Sequence, residues 1–599
     1  MKILEEPLGK YAWAALMTGL SLLLFGYDFG LDPNLAQVLP YINKLADPSL
    51  YPGDIFLKSF SSFPSLYPAA AAFLGRFAGL GALHFAAYAA ARFIFLSLVF
   101  ELAECLTGSR KTAFAAALAA AVSVQVNILT MLGEDPLLKT SFFQSTLAGV
   151  IGTLSLLLFF RKKYIPAFAA LGAMLFINGL PALYLAALYA FALKGAPDAR
   201  AMRRGWAALG AVSLVWFAWL GTLHNRFGGP GPDYSAILKY WYPGHYFPSG
   251  WSGLKWFRLA VFLPLNLLLF YAGAENSAEK RELSAFMRAF YFLWAAAFIL
   301  GELFPLPRLV NLQFFRSDAF FFLFGVIFAA DFLRARFGED GPGGWALGAL
   351  ILMSFMENGG AVYPLFALAL LLAWRSGPAW AFRAAALAGS AFCARELLLL
   401  PAADHKKYTA ALLLFGLGAL AGKSYKASFK GWRAAPLALA AIIIPSLPLI
   451  NYRFSSRSLS NYGAESASWL GLQKWARDNT PPAAVFLVPP DTYGFRVFSL
   501  RSPVVEWLDA GAMHWAPGFE TEWKARIADL RAENPLSSGP DLGYSGIGAD
   551  GFIRLARKYG ASYAVRRTSE PLPFKELYAN PYFTLYALPS TIRAPNFVK

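Results

Sequence analysis

Long apolar runs fill the first three quarters of the chain and disappear after about Asn451. A bilayer core of about 30 Å is crossed by about 20 apolar residues in a helix. On that measure the pattern predicts full spans at 11–27, 80–106, 113–132, 141–160, 206–223, 257–274, 286–304, 318–333, 384–403, 409–422 and 434–450. Two further stretches, 164–193 and 344–374, are too long for one upright helix and too short for two. Each is interrupted at its centre, by Asn178-Gly179-Leu180-Pro181 and by Glu357-Asn358-Gly359-Gly360. Both are flanked by basic residues on both sides, so each reads as a pair of short helices entering and leaving from the cytoplasmic side. One long kinked helix is the alternative. Broken backbone at membrane depth is tolerated only where protein or water covers it. The pattern thus predicts a polytopic α-helical membrane protein, with about 11 full spans, two broken short-helix pairs and a soluble C-terminal part.

Composition agrees. Of 599 residues, 57% are hydrophobic and only 15% are charged, against roughly 25% charged in soluble domains. This excludes a disordered chain and an ordinary cytosolic enzyme. The formal charge is 53 − 36 = +17, and topology accounts for much of it. Arg110-Lys111, Arg161-Lys162-Lys163, the Lys194–Arg204 cluster, Lys280-Arg281, Arg334, Arg336 and the Lys423–Arg433 cluster all fall on one side. Positive-inside asymmetry makes that side cytoplasmic and places the N-terminus there. Eleven crossings then put 451–599 outside; the outer side is poorer in basic residues within 1–450, although Lys406-Lys407 falls on the wrong side. No nucleic-acid motif accompanies the charge. Tyr11 to Tyr27 is not followed by a small-residue cleavage site, so it reads as a retained first span. The two cysteines, Cys105 and Cys393, lie inside apolar runs and suggest neither a disulfide framework nor a zinc cluster.

The candidate chemistry lies at the outer edge. Asp28 follows directly on the first span, where a carboxylate can ionise and act as a general base or metal ligand. Asp32 and Asp54, in Asp-Pro and Gly-Asp settings, read as helix-end or turn residues exposed to water. The second external loop reads as a tight turn, Gly133-Glu134-Asp135-Pro136, whose two acids would suit Mg²⁺ or Mn²⁺; turn chemistry is the plainer account. Arg308 and Arg316 lie between two later spans, and arginine is the usual bidentate partner of phosphate. The segment Tyr240-Trp241-Tyr242-Pro243-Gly244-His245-Tyr246-Phe247 fits an aromatic interface belt, or a surface for stacking on sugar. His245 reads as structural.

These features together resemble the GT-C superfamily of membrane glycosyltransferases, which includes oligosaccharyltransferase catalytic subunits, protein mannosyltransferases and aminoarabinose transferases. The likeness is greatest to bacterial GT-C-like membrane proteins. It rests on Asp28 at the span exit, the long first external loop and the Glu134-Asp135 pair. It rests also on Leu45-Ala46-Asp47-Pro48-Ser49-Leu50-Tyr51-Pro52-Gly53-Asp54, Leu312-Gln313-Phe314-Phe315-Arg316 and the stretch from Trp469 to Pro481. The resemblance implies a bacterial inner-membrane location and a polyprenyl-phosphate-linked sugar as donor, drawn from membrane lipid, with an unknown acceptor. It implies Asp28 as base or metal ligand, Glu134 and Asp135 as the second acidic motif, and Arg316 at the donor phosphate. The chain departs from the family in two places. Its second motif is Glu-Asp, not Asp-x-Asp. No Trp-Trp-Asp occurs, and Val488-Pro489-Pro490-Asp491 stands in a comparable position, which points away from asparagine-linked transfer.

Residues 451–599 read as a small α/β domain after a membrane domain of 1–450. Helices are expected at 465–479, 518–533 and 549–559, and strands at 484–488, 503–507, 561–566 and 583–588, in a partly parallel sheet. Arg496 and Arg501 read as surface charges. Function divides between a glycosyltransferase, a transporter or flippase of lipid-linked intermediates, and an inactive GT-C-like scaffold. Broken helices also mark transporters, which should carry acids near mid-membrane; Glu101, Glu104, Glu357 and Glu396 are the candidates. Other residues that could serve the site are Asn178 and His245.

Overall fold

The computed structural model describes residues 9–193, 198–339, 342–356, 362–376, 378–399, 405–421, 462–530 and 543–589. The expected span 434–450, the Lys423–Arg433 cluster, the Glu357–Gly360 break and the boundary near Asn451 lie outside them.

The chain enters through α1 (Gly9–Phe25), then forms α2 (Pro33–Ala46), the single turn α3 (Ile55–Lys58), α4 (Tyr67–Ala78) and the long α5 (Leu80–Thr107). Asp32 begins α2 by accepting from the Asn34 and Leu35 amides, and Pro33 occupies the first turn, where its missing N–H costs nothing. Next come α6 (Arg110–Val122), one turn of α7 (Val124–Asn127), α8 (Gln144–Phe160), α9 (Tyr164–Leu175), α10 (Gly179–Ala192), α11 (Ala199–Leu220) and α12 (Tyr234–Trp241). The second half of the helical region holds α13 (Gly253–Asn276), α14 (Lys280–Phe298), α15 (Pro307–Val310), α16 (Asp318–Glu339), α17 (Pro342–Met356), α18 (Val362–Ser376), α19 (Ala379–Leu399) and α20 (His405–Ala421). A large apolar core runs through these helices, with Phe95, Leu185, Phe286 and Phe324 fully buried.

Three helical segments among the described residues are long and apolar enough to cross a membrane: Leu80–Thr107, Gly253–Asn276 and Lys280–Leu303. The stretch 164–193 is two helices, broken at Asn178, whose side chain caps α10 through the Leu180 amide. The expected span 113–132 is not one. Its helix stops at Val122 because Ser123 takes an extended conformation, and after α7 the chain runs without helix to the start of α8. Asn127 takes up two of the freed carbonyls, those of Ala120 and Ser123, so the break is satisfied inside the protein. The segment expected to be a tight second external loop is therefore longer than a turn, running from about 128 to 143, and most of it is buried.

The C-terminal region contains α21 (Ala464–Asn479), β1 (Val485–Leu487), α22 (Phe495–Ser499), β2 (Ser502–Pro503), α23 (Phe519–Asp529), α24 (Ala549–Tyr559), β3 (Tyr563–Arg567), β4 (Lys575–Ala579) and β5 (Phe583–Ala587). The sheet order is β2-β1-β3-β5-β4, parallel across β2-β1-β3 and antiparallel beyond. The strand expected at 503–507 shrinks to two residues. Glu506 and Asp509 cap each other's backbone and start a 3₁₀ segment at Trp507 instead. Strand β4 escaped notice because it is a charged edge strand with little apolar alternation.

One apolar cluster joins this region to the first external loop. Leu35, Leu39, Ile42, Phe56 and Phe60 pack with Val497, Val504, Phe519 and Trp523. At its centre Arg496 is buried, not a surface charge. It bonds Asp54 at 2.8 Å, Glu506 at 3.0 Å and Asp509 at 2.8 Å. Arg501 is buried too, donating to the Arg477 and Thr480 carbonyls.

Candidate functional site

Asp28 is half-buried just past α1. Its amide donates to the Thr140 carbonyl at 2.8 Å, which ties the end of α1 to the 128–143 segment. The Leu31 amide donates to its carboxylate at 3.3 Å. Burial and the neighbouring Asp32 push the carboxyl up to about 6; hydrogen bonds from Leu31 and Tyr462 pull the other way. A carboxylate poised there takes a proton near neutral pH far more effectively than an ordinary aspartate.

The other expected acids divide. Asp32 and Asp54 are helix caps, as their settings suggested, but both are buried, and Asp54 also serves Arg496. Glu134 sits at φ +53° and faces Lys255, whose Nζ is 2.7 Å from Oε1; the Tyr242 hydroxyl donates to its other oxygen. Asp135 faces two cations. Arg316 Nε donates to Oδ2 at 2.9 Å, Arg316 Nη2 donates to the same oxygen, and Lys139 Nζ donates to Oδ1. Burial alone would raise the Asp135 carboxyl, yet Arg316 and Lys139 outweigh it and hold it well below the usual carboxylate range. Glu134 and Asp135 thus point to different partners. Among the described residues no three Asp, Glu, His or Cys side chains converge as a metal-binding group.

Arg316 is the hub of this edge. Its Nη1 also donates to Gln313, whose backbone is left-handed at φ +50°. Gly133 passes so close that a side chain there would meet the Arg316 backbone. Asp318, two residues on, accepts from the Leu132 and Gly133 amides at 2.7 and 3.1 Å and from Thr130 at 2.9 Å. It thereby locks the acidic segment onto the start of α16. A narrow cleft with room for water-sized molecules opens beside this hub. It is lined by Asp135, Ser145, Tyr184 and Arg316 on its polar side and by Leu180 and Phe320 on its apolar side. Asn178 donates to Ser145 at 3.0 Å and so borders the cleft.

Arg308 is elsewhere on the surface, exposed on α15 beside exposed Leu306 and Leu309. His245 packs against Tyr242 at 4.3 Å, and its Nδ1 is buried without a partner. Burial, with Arg316 nearby, lowers its pKa well below the ordinary histidine value and keeps it neutral. Glu101 pairs with Lys10 and Arg161 and is no lone mid-membrane acid.

Four contributors were missed in the sequence. Lys139 had a signal, being four residues after Asp135. Arg92 had another, as a cation deep inside a long apolar run, which is a functional pointer by default. It donates to Ser21, to Asn127 and, at 2.8 Å, to the Lys139 carbonyl, so it braces the broken helix and the site segment together. Lys255, near the start of α13, could have been noticed the same way. Tyr462 carried no signal, since only folding brings it to Asp28.

Residues 467–530 match the family model of DUF6798, a domain of unknown function. No curated protein matches the chain. The structure is similar to that of ArnT from Cupriavidus metallidurans bound to undecaprenyl phosphate, with a TM-score of 0.43, 14% identity and 98% of each chain covered. It is also similar to the apo form of that protein, with a TM-score of 0.40, 13% identity and coverage of 96% of this chain and 97% of the other.

Proposed function

We propose that the protein is a multi-pass membrane glycosyltransferase that moves a sugar from a polyprenyl-phosphate-linked donor to an acceptor on the outer face of the bacterial inner membrane. In this reading the N-terminus is cytoplasmic and residues 451–599 are extracytoplasmic. The observation that carries the proposal is Asp28: a half-buried carboxylate, raised toward neutrality, at the exit of α1 and tied by its backbone to the segment that carries Asp135 and Lys139, with Arg316 bonded to Asp135.

The chemistry follows. Asp28 takes the proton of an acceptor hydroxyl as the acceptor oxygen bonds to the anomeric carbon. The bond from that carbon to the phosphate oxygen breaks, and its electron pair leaves with the lipid phosphate. The departing phosphate needs fixed positive charge in a site shielded from water. Arg316 supplies a planar pair of donors, with Lys139 close by. Since Asp135 occupies Arg316 here, donor binding exchanges one anion for another at the same guanidinium. A divalent metal at Asp28, Glu134 or Asp135 stays part of the proposal, to be tested by chelation and by Mg²⁺ or Mn²⁺ addition.

The test is transfer of labelled sugar from a panel of polyprenyl-phosphate donors by purified protein in lipid, with Asp28→Asn alongside. Transfer by the native chain, reduced by on the order of 10²- to 10⁴-fold in the variant, supports the reading. Equal transfer by both removes Asp28 from the mechanism. Donor binding without transfer by either, across acceptors, favours a transporter or an inactive scaffold.

A further inference from the structure

We propose that Tyr462 is a positioning residue for Asp28, reaching from the C-terminal region to hold the turn that carries the carboxylate in a fixed orientation. The proposal rests on the reading of Asp28 as the base. Tyr462 is half-buried, and its hydroxyl donates to the Phe29 carbonyl at 2.5 Å. Phe29 directly follows Asp28, so this bond fastens the turn that carries the carboxylate to the C-terminal region.

The rest of the turn is covered from the same region. Gly30 has φ +91°, and a Cβ there would lie 2.6 Å from Val497 Cγ1 and 2.9 Å from Phe498 Cζ. No other residue type fits both that backbone and that gap. The Phe29 ring meets the Phe498 ring edge-on at 6.2 Å. The cover is itself anchored, since Arg496 bonds Asp54 and the Tyr51 hydroxyl donates to the Arg496 carbonyl at 2.8 Å. On its own side, the Asp28 carboxylate accepts from the Leu31 amide. Without the phenol, the turn loses its tie to the C-terminal region, and the carboxylate it carries can shift away from the acceptor. Misplacement of a reacting group by about 1 Å can cost on the order of 100-fold in rate.

The experiment uses full-length protein in lipid, labelled with ¹³C-carboxyl aspartate. The infrared carboxylate band of Asp28 is assigned by subtracting the Asp28→Asn spectrum. Tyr462→Phe, which keeps the ring, should move that band, whereas Tyr578→Phe in the distant β4 should not. Ring-fluorinated tyrosine at 462, a stronger donor of the same shape, should move it the opposite way and serves if the Phe variant folds poorly. In the transfer assay, Tyr462→Phe should lower kcat on the order of 10- to 100-fold with the donor KM changed less than about twofold. An unmoved Asp28 band overturns the proposal whether or not the protein transfers sugar. A moved band with unchanged kcat overturns it too, because the contact would then position nothing that matters. Absence of transfer by the native chain counts against the glycosyltransferase reading, while the band still decides whether Tyr462 holds Asp28.

Discussion

Asp28 and Asp135 are the same residue type at the same edge, and their surroundings give them opposite chemistry. Asp28 is half-buried, with no cation bonded to it among the described residues, and burial with the neighbouring Asp32 raises its carboxyl to about 6. Asp135 sits between Arg316 and Lys139 and stays ionised far below that. A base must be ionised to act, so transfer should rise as pH climbs through about 6 and fall away below it; a pH–kcat/KM profile reads this directly. A profile flat from pH 5 to 8 would remove Asp28 as the titrating base. Asp135 tests a different point. If it competes with the donor phosphate for Arg316, Asp135→Asn should bind polyprenyl phosphate severalfold more tightly in a direct binding titration. If it were a metal ligand essential for the donor, the same change should abolish metal-dependent binding. At this scale the sequence pointed to the charged residues that stand near the span exits, and not to their partners. Glu134-Asp135 reads as one acidic site in one dimension. In three dimensions the acids turn to different cations, Glu134 to Lys255 and Asp135 to Arg316 and Lys139, and both Lys255 and Arg316 come from other places in the chain.

Among the elements, the apolar pattern anticipated α5, α13 and α14, and the pair α9–α10 with its break at Asn178. It failed at 113–132, where the run as a whole is apolar enough for a span but Ser123 and Asn127 end the helix. Hydropathy measures transfer into lipid and is blind to a break whose freed carbonyls are met by side chains from within the protein. The Arg496 cluster was illegible for a related reason. Its partners Glu506 and Asp509 are near in sequence, but Asp54 lies 442 residues away. Replacing Arg496 with Met leaves three buried carboxylates without their cation, and removal of one partner of a buried ion pair costs about 3–5 kcal/mol. We therefore expect Arg496→Met to lower the thermal unfolding midpoint clearly and to loosen the first external loop, seen as faster amide exchange over 33–60. An unchanged midpoint and exchange pattern would show that the apolar cluster alone joins the two regions.

For the whole molecule, composition and run length pointed to a helical membrane protein with a soluble-like tail, and three helical segments among the described residues are long and apolar enough to cross a membrane. Composition and run length did not reveal how intimately the tail is joined to the membrane half. The cluster that buries Leu35 and Phe56 also buries Val497 and Trp523, and Tyr462 bonds the Phe29 carbonyl beside Asp28. Sidedness is a claim at this scale. A cysteine placed at exposed Glu576 should react with an impermeant thiol reagent on intact spheroplasts, and one at exposed Arg203 should react only after permeabilisation. The reverse pattern would invert the topology and put the site on the cytoplasmic face. The central claim is that Asp28 and Arg316 are two ends of one donor site. The most direct measurement is a high-resolution structure of the protein in a lipid nanodisc with polyprenyl phosphate bound. The account requires the phosphate on Arg316, with Asp135 displaced from at least one guanidinium nitrogen and the Asp28 carboxylate facing the phosphate oxygens across a sugar-sized gap. A phosphate seated away from Arg316, or with Asp28 screened from it by protein, would contradict it.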